Sequence, residues 1–240
     1  MKKYNYFILA YNAMDYFNNW FDFDQFQNTE LRFIDNGKQN APDKLKQHVI
    51  HQTEKNIGCS GGWNLICDIG FNYFGFDKII IGQEDARISE DIFEALLEYC
   101  SPSLICGTYN NSFEFSTYAI HKDTFNKVGR FDENFLFAGC EDNDYKHRCK
   151  LNGIEVGTLD VSHHFNCSIA NNINVVPSRS ITHNAEYIKR KWNDYTYTVP
   201  FNGDSVNKYT DYFIEVHGNE PNWPSENEFM RFKKNMGEVI

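Results

Sequence analysis

The sequence predicts a folded α/β domain, in which strands and helices alternate along most of the chain. Three observations support this class. The chain has 240 residues, 41% of them hydrophobic, which is enough to build a sizeable core. Short apolar runs typical of buried strands alternate with segments of helical periodicity. Turn signals and polar residues follow the strand-like runs, at the positions where open parallel sheets bind ligands.

The first two strands and the helix between them are the clearest elements. Residues 6–11 form an apolar run that predicts a buried strand, and residues 12–26 predict a helix. A second strand is predicted over residues 31–34, and Asp35 follows it at the start of an Asn-Gly turn. Asp35 therefore either faces a ligand at the carboxyl end of the strand or caps the turn.

A glycine-rich loop and a third strand come next. Residues 56–64, Asn-Ile-Gly-Cys-Ser-Gly-Gly-Trp-Asn, open a predicted helix that runs to about Phe74, and glycine lets the backbone approach a ligand closely. The loop lacks the Lys-Ser/Thr ending of a phosphate-binding P-loop and the glycine spacing of a dinucleotide site. The predicted strand over residues 78–81 then leads to the acidic segment Gly-Gln-Glu-Asp-Ala-Arg at 82–87.

A cluster of acids marks the middle of the chain. Glu141, Asp142 and Asp144 lie within four positions, after small residues and at the start of a predicted helix. Arg148 follows Asp144 at the i,i+4 distance of a helix. Such carboxylates suit general-base chemistry, but acids in a first turn and Gly153 beyond the last are also typical of an ordinary capped helix.

Composition limits the partners and the compartment. A formal net charge of -10 disfavours a nucleic-acid partner without excluding one, because phosphate contacts need a clustered basic surface. Seven dispersed cysteines without a C-x-x-C pair predict reduced thiols rather than a disulfide framework or a zinc site. No apolar run approaches the roughly 18 residues that a membrane span needs, and the start is unconvincing as a secretory signal. We therefore expect a cytoplasmic protein without a transmembrane segment.

Taken in order, these motifs resemble those of inverting GT-A glycosyltransferases of the large family-2 type. The glycine-rich loop is similar to that of the rhamnosyltransferase-like members, and the resemblance covers roughly residues 4–202. The resemblance extends to the motif residues that end many of these enzymes, which are matched here by Tyr187, Lys191-Trp192 and Pro200-Phe201. It implies a GT-A fold, with a Rossmann-like mixed central sheet flanked by helices. The implied architecture is a single domain at 1–202 with a short C-terminal extension at 203–240.

The resemblance also implies a donor site with a divalent cation, Mn2+ or Mg2+. Asp85 takes the place of the second Asp of an Asp-x-Asp motif, and His163, or alternatively His164, supplies a further metal ligand. Gln83 stands where the first Asp is usual, which departs from the strict motif. The donor is a UDP-, dTDP- or GDP-linked sugar, and the positions that match donor-binding segments are Ala10, Tyr11, Asn12, Asp35, Asn56, Gly58, Gly62, Asn64 and Gln83.

On the acceptor side, the resemblance implies that Asp142 is the general base. Glu141 then binds acceptor hydroxyls. Asp144 and Arg148 are assigned to the same acceptor site, and Asp144 is expected to orient Arg148 or the loop. The expected acceptor is a saccharide or a glycolipid, with a hydroxylated base in DNA as a lesser possibility. Two carboxylates also suit a glycoside hydrolase, but hydrolysis does not explain the nucleotide-type strand order. A noncatalytic nucleotide- or sugar-binding module with the same fold is the alternative from a different functional class.

The extension at 203–240 is predicted to end in a helix. The helix is expected to run from Ser225 to Met236, with Ser225 as its cap and Glu228 in the capping-box position. An acceptor flap or a contact in a homo-oligomer are the two roles we consider for this segment.

Overall fold

A computed structural model describes residues 4–12, 14–20, 26, 28–84, 86, 88–109, 115–160, 178–192, 213–218 and 222–238. The strands are β1 (Tyr4–Ala10), β2 (Thr29–Asp35), β3 (Val49–Gln52), β4 (Lys78–Gln83), β5 (Leu104–Tyr109), β6 (Thr117–His121) and β7 (Glu155–Asp160). The helices are α1 (Met14–Trp20), α2 (Asp43–Lys46), α3 (Gly58–Cys67), α4 (Glu90–Tyr99), α5 (Lys122–Val128), α6 (Glu141–Leu151), α7 (Ser178–Trp192), α8 (213–217) and α9 (Pro224–Asn235). A π-helical segment, Asp68–Tyr73, continues α3.

The strands form one seven-stranded sheet in the order β3-β2-β1-β4-β6-β5-β7. β6 runs antiparallel to both of its neighbours, β4 and β5, and the other pairings are parallel. The structure therefore confirms the predicted α/β class with a mixed central sheet.

The strand order reverses at β1. The chain passes from β1 outward to β2 and β3, and then returns to place β4 on the other side of β1. In register, Ala10 pairs with Asp35, and Leu9 pairs with Gln83. In open α/β sheets a crevice forms where the order reverses, outside the carboxyl ends of the strands. The fold thus places the ends of β1, β2 and β4 at one edge.

Hydrophobic side chains cover both faces of the sheet. Successive residues of β1 point to opposite faces, so Phe7 and Leu9 join one buried cluster while Tyr6 and Ile8 join another. A parallel strand buried on both faces reads as a continuous apolar run. This explains why β1 is so clear in the sequence.

Several element boundaries differ from the sequence-based expectations. The helix expected over 12–26 is the shorter α1, Met14–Trp20, and Phe26 lies outside any helix. Asn12 cannot begin it, because its φ of 65° is left-handed. β2 extends to include Asp35, which therefore ends the strand instead of following it.

The last helix packs into the core of the domain. Phe232 on α9 is buried, with ring centroids 4.9 Å from Tyr73 and 5.9 Å from His51. The Glu228 carboxylate binds His51 Nε2 at 2.9 Å and accepts the Glu54 N–H at 2.9 Å. Residues 224–235 are thus held by the same core as β3 and α3.

The predicted cap of this helix was wrong. α9 begins at Pro224, and Trp223 is its N-cap, with its N–H donating to Glu226 at 3.2 Å. Proline at the first helical position is pre-organised for a helix, which moves the start before Ser225. The Ser225 N–H instead donates to the buried Glu133 carboxylate at 3.1 Å. Local capping at Trp223 and Glu226 therefore sets the helix start, and Ser225 is used in a long-range contact.

We expect Gly62→Ala to destabilise the fold. A methyl group at Gly62 would lie 2.3 Å from the side chain of Leu9 on β1, inside a packed core. Overpacking of this kind costs about 1–3 kcal/mol. The matched control is Gly61→Ala on the same helix, where the nearest atoms belong to Ile57 at 3.2 Å. Urea unfolding should show a clearly larger loss for Gly62→Ala, and equal effects would contradict this packing account.

Candidate active site

The side chain of Glu84, which directly follows β4, joins the end of β4 to the end of β1. Glu84 is buried, and its Oε1 accepts the backbone N–H of Tyr11 at 2.7 Å. This bond ties Tyr11 to the end of β4, next to Gln83. Two of the predicted donor residues therefore lie at the crevice.

The predicted metal ligands lie outside the described residues. These are Asp85, His163 and His164. Among the residues that the structure does describe, no group of three His, Cys, Asp or Glu side chains is arranged to hold a metal ion. The cation therefore remains a prediction.

Asp35 is held by two glutamines and does not face open space. Its side chain has no exposed surface. Its Oδ2 accepts the Gln39 N–H at 2.8 Å and Gln52 Nε2 at 2.8 Å, and its Oδ1 accepts Gln39 Nε2 at 3.1 Å. Of the two alternatives drawn from the sequence, the structure supports the turn cap: the buried Asp35 carboxylate holds the residues that follow β2.

Asn36 joins three of the predicted segments, although the sequence analysis gave it no role. Its N–H donates to Ala10 O at 2.8 Å, which ties it to β1. Its Nδ2 donates to Asn56 Oδ1 at 3.0 Å, and its Oδ1 accepts the Ile57 N–H at 2.9 Å. The buried amide thus anchors the glycine-rich loop to the carboxyl ends of β1 and β2. A polar residue within a tight Asn-Gly turn was the signal that pointed to it.

The glycine-rich loop in turn contacts the segment before the acidic cluster. The Cys59 N–H donates to Phe137 O at 2.5 Å. Gly58 has a φ of +75°, and a Cβ at this position would lie 2.9 Å from Phe137 N. Glycine is required here for both its backbone conformation and the close approach. The predicted donor loop and the predicted acceptor segment are therefore in direct contact.

Gly62 and Asn64 are buried and have structural roles. Gly62 lies against Leu9 of β1. Asn64 is fully buried, and its side chain pairs with the backbone N–H and C=O of Phe131, each at 2.8 Å. It also donates to Glu133 at 2.8 Å. The structure thus gives no support to a direct donor contact by either residue, since both are used inside the core.

Glu141 and Asp142 begin α6 immediately after the Phe137 segment. Both are buried, and Lys146 Nζ lies 3.6 Å from Asp142 Oδ2. Burial, with the charge of Asp142 as a second cause, raises the pKa of Glu141 to about 8. The environment of Glu141 therefore favours its protonated form, while the neighbouring Asp142 has a lysine beside it.

Asp144 lies on the inner side of the same helix and is fully buried. Its Oδ2 accepts Arg148 Nε at 2.9 Å, and its Oδ1 accepts Trp192 Nε1 at 2.8 Å and Lys191 Nζ at 2.7 Å. Asp144 therefore orients Arg148 and fastens the end of α7 to α6. The predicted acceptor role of Asp144 is not compatible with these contacts, because no face of the carboxylate is exposed.

Asn184 on α7 is a second residue whose role the sequence did not reveal. Its Oδ1 accepts the Leu136 N–H at 2.8 Å, and its Nδ2 donates to the carbonyl oxygens of Leu136 at 2.9 Å and Gly139 at 2.9 Å. This single buried amide fixes the backbone that leads into Glu141. Such a contact between residues far apart in the chain leaves no local signal.

Comparisons with known proteins bear on the fold. No family model matches the sequence, and no curated protein matches it. The solved structure of GalNAc-T7 with UDP, GalNAc and Mn2+ is similar at a TM-score of 0.50 and 11% identity, over 98% of this chain and 54% of that chain. A Drosophila β-1,4-galactosyltransferase 7 mutant with manganese, UDP-Gal and xylobiose is similar at a TM-score of 0.42 and 12% identity, over 65% of this chain and 64% of that chain.

The chain spans less than two-thirds of the length of either solved structure. At these identities the likeness concerns the fold alone. Within the described part of the chain, no helix is both long enough and apolar enough to cross a membrane. The comparison therefore supports the expected GT-A fold, a mixed sheet flanked by helices, and nothing finer.

The raised pKa of Glu141 predicts a specific pH dependence of stability. The pKa is about 8 in the folded protein and near 4.5 when the group is unperturbed, so folding takes up a proton between these values. The stability that this proton contributes is fully present below pH 4.5 and is lost as the pH rises towards 8. Its slope is at most about 1.4 kcal/mol per pH unit.

Glu141→Gln removes this titration. Relative to the wild type, the variant should therefore gain stability steadily from pH 5 to pH 8, as measured by urea unfolding. The control is Glu98→Gln, an exposed side chain on α4, which should change the unfolding free energy by no more than about 0.5 kcal/mol. Parallel pH curves for the wild type and Glu141→Gln would contradict the assignment.

Proposed function

We propose that this protein is an inverting, metal-dependent glycosyltransferase, which moves a sugar from a nucleotide-sugar donor to an acceptor hydroxyl. The observation that carries the proposal is a continuous chain of contacts at one edge of the sheet. Asn36 ties the end of β1 to the glycine-rich loop, and that loop contacts Phe137 through Cys59. The donor-type and acceptor-type motifs therefore meet in space, as a transfer reaction requires.

The donor half occupies the crevice between the ends of β1 and β4. Tyr11 and Gln83 lie on its two sides, and Glu84 holds them together. The fold likeness to GalNAc-T7, which was solved with UDP, GalNAc and Mn2+, supports a nucleoside diphosphate as the ligand of this crevice. We place the divalent ion at Asp85, with His163 or His164 as a further ligand. When bound, the ion stabilises the charge of the departing diphosphate.

The acceptor half is built around Asp142. Its carboxylate takes the proton of the acceptor hydroxyl as that oxygen forms a bond to the anomeric carbon. The bond from the anomeric carbon to the diphosphate oxygen breaks on the opposite face, so the configuration inverts. Burial and the charge of Asp142 raise the pKa of Glu141, which favours its protonated form, so we assign the base to Asp142. A protonated carboxyl group at Glu141 is suited to hydrogen-bond the acceptor.

We propose a saccharide or glycolipid as the acceptor. This class rests on the resemblance of the glycine-rich loop at 56–64 to rhamnosyltransferase-like enzymes. The formal net charge of -10 disfavours a nucleic-acid acceptor. The C-terminal helix α9, which shares the core of the domain, supports the side of the glycine-rich loop through Glu54 and His51.

Donor binding tests the first half of the proposal. The wild type should bind one of the UDP-, dTDP- or GDP-sugars by calorimetry in the presence of Mn2+ or Mg2+, and much more weakly after chelation. Asp85→Asn should abolish the metal dependence. Asp77→Asn is the matched control, because Asp77 is exposed and precedes the opposite end of the same strand. Absence of nucleotide binding under every metal condition would refute the transferase.

Turnover tests the second half. Asp142→Asn should reduce the transfer rate by about a hundredfold or more while leaving donor affinity unchanged, because a positioned general base contributes at least that factor. Asp123→Asn, an exposed acid in the first turn of α5, should retain activity. NMR of the product should show inverted anomeric configuration. Retained turnover in Asp142→Asn, or a retained configuration, would rule out this mechanism.

A further inference from the structure

A cavity of about 510 Å³ opens beside the carboxyl ends of β2 and β3. Its position next to the switch-point crevice is fixed by Gln39, whose Nε2 donates both to Asp35 Oδ1 at 3.1 Å and to Ala10 O at 2.9 Å. The cavity is lined by the turn after β2, by β3 and by α9. Its polar lining includes Lys38, Gln39, Asn40, Gln52 and Arg231. It is large enough for a purine base.

Asp35 cannot itself contact a ligand in this cavity. Its side chain has no exposed surface, and it accepts hydrogen bonds from the side chains of both Gln39 and Gln52. These two side chains, in contrast, line the cavity. Asp35 therefore acts through the glutamines as a positioning residue.

The contacts also fix which end of each amide is left for a ligand. Gln39 Nε2 uses its two hydrogens on Asp35 and Ala10 O, and Gln52 Nε2 uses its own on Asp35 at 2.8 Å and Gln39 O at 3.4 Å. Reversing either amide would set its oxygen against a carboxylate. Among the described residues, none donates a hydrogen bond to either Oε1. Both glutamines thus present only acceptors.

We propose that Gln39 and Gln52, held by Asp35, recognise the nucleobase of the donor, and that this base is guanine. The inference rests on the proposed function, since it concerns the nucleotide of the same donor site. Two acceptors match a base edge that donates from two adjacent atoms. Guanine offers such an edge in its N1–H and its 2-amino group.

The other bases match less well. Uracil and thymine have one N–H between two carbonyl oxygens, so one glutamine oxygen would face an oxygen. Adenine and cytosine have one amino donor beside a ring nitrogen that accepts. Leaving a buried polar group of the site without a partner costs more binding free energy than one hydrogen bond contributes. Gln39 and Gln52 therefore weaken the binding of the other bases, in addition to binding guanine.

The first experiment compares nucleotides on the unmodified full-length protein. Calorimetry with Mn2+ should give GDP the highest affinity among GDP, IDP, UDP, dTDP, CDP and ADP. IDP lacks only the 2-amino group and should bind about tenfold more weakly, as expected for one lost hydrogen bond. GDP methylated at N1, which lacks the other donor, should be weakened by at least as much.

Variants test the residues. Gln39→Met and Gln52→Met should each reduce the preference for GDP over IDP towards unity, which a merely structural role would not do. Asn40→Ala, which lines the same cavity but does not contact Asp35, should keep the preference. A tighter fit of UDP than GDP, or an unchanged GDP-to-IDP ratio in both Met variants, would overturn this inference while leaving the transferase in place. Failure of every nucleotide to bind would overturn both.

Discussion

β1 pairs in parallel with β2 on one side and with β4 on the other, and side chains bury it on both faces. This arrangement leaves it no free edge and no solvent face, so its register with each neighbour is strongly specified. The register then sets Ala10 beside Asp35 and Leu9 beside Gln83. Among the described residues, Asn36 attaches the glycine-rich loop to these strand ends, and Cys59 attaches the segment before α6 to that loop.

Buried amide side chains make most of the attachments. Asn36 links β1 to the glycine-rich loop, Asn64 holds the Phe131 backbone, and Asn184 holds the backbone before α6. An asparagine both donates and accepts, so one side chain satisfies two or more backbone groups of an irregular loop. Loops that carry site residues are thereby hydrogen-bonded to the elements beside them.

The acids of α6 carry the same carboxyl group in different surroundings. Asp144 is surrounded by Arg148, Lys191 and Trp192, and it serves the packing of α6 against α7. Among the described residues no cation is paired with Glu141, and burial raises its pKa. Neighbouring carboxylates in one helical turn therefore have different surroundings, and this difference supports different roles.

From local signals, namely continuous apolar runs and glycine turns, the sequence predicted the α/β class, the strands β1, β2 and β4, and the helix after the glycine-rich loop. It also indicated the position of the acidic cluster at the start of α6. It did not indicate the antiparallel strand β6 or the packing of α9 into the core. The predicted cap, Ser225, lies within α9, and its N–H donates to Glu133. The burial of Asp35 behind Gln39 and Gln52 was equally invisible. These features could not be predicted, because each depends on partners that are distant in the chain or on which way a side chain turns, and neither is encoded in local periodicity.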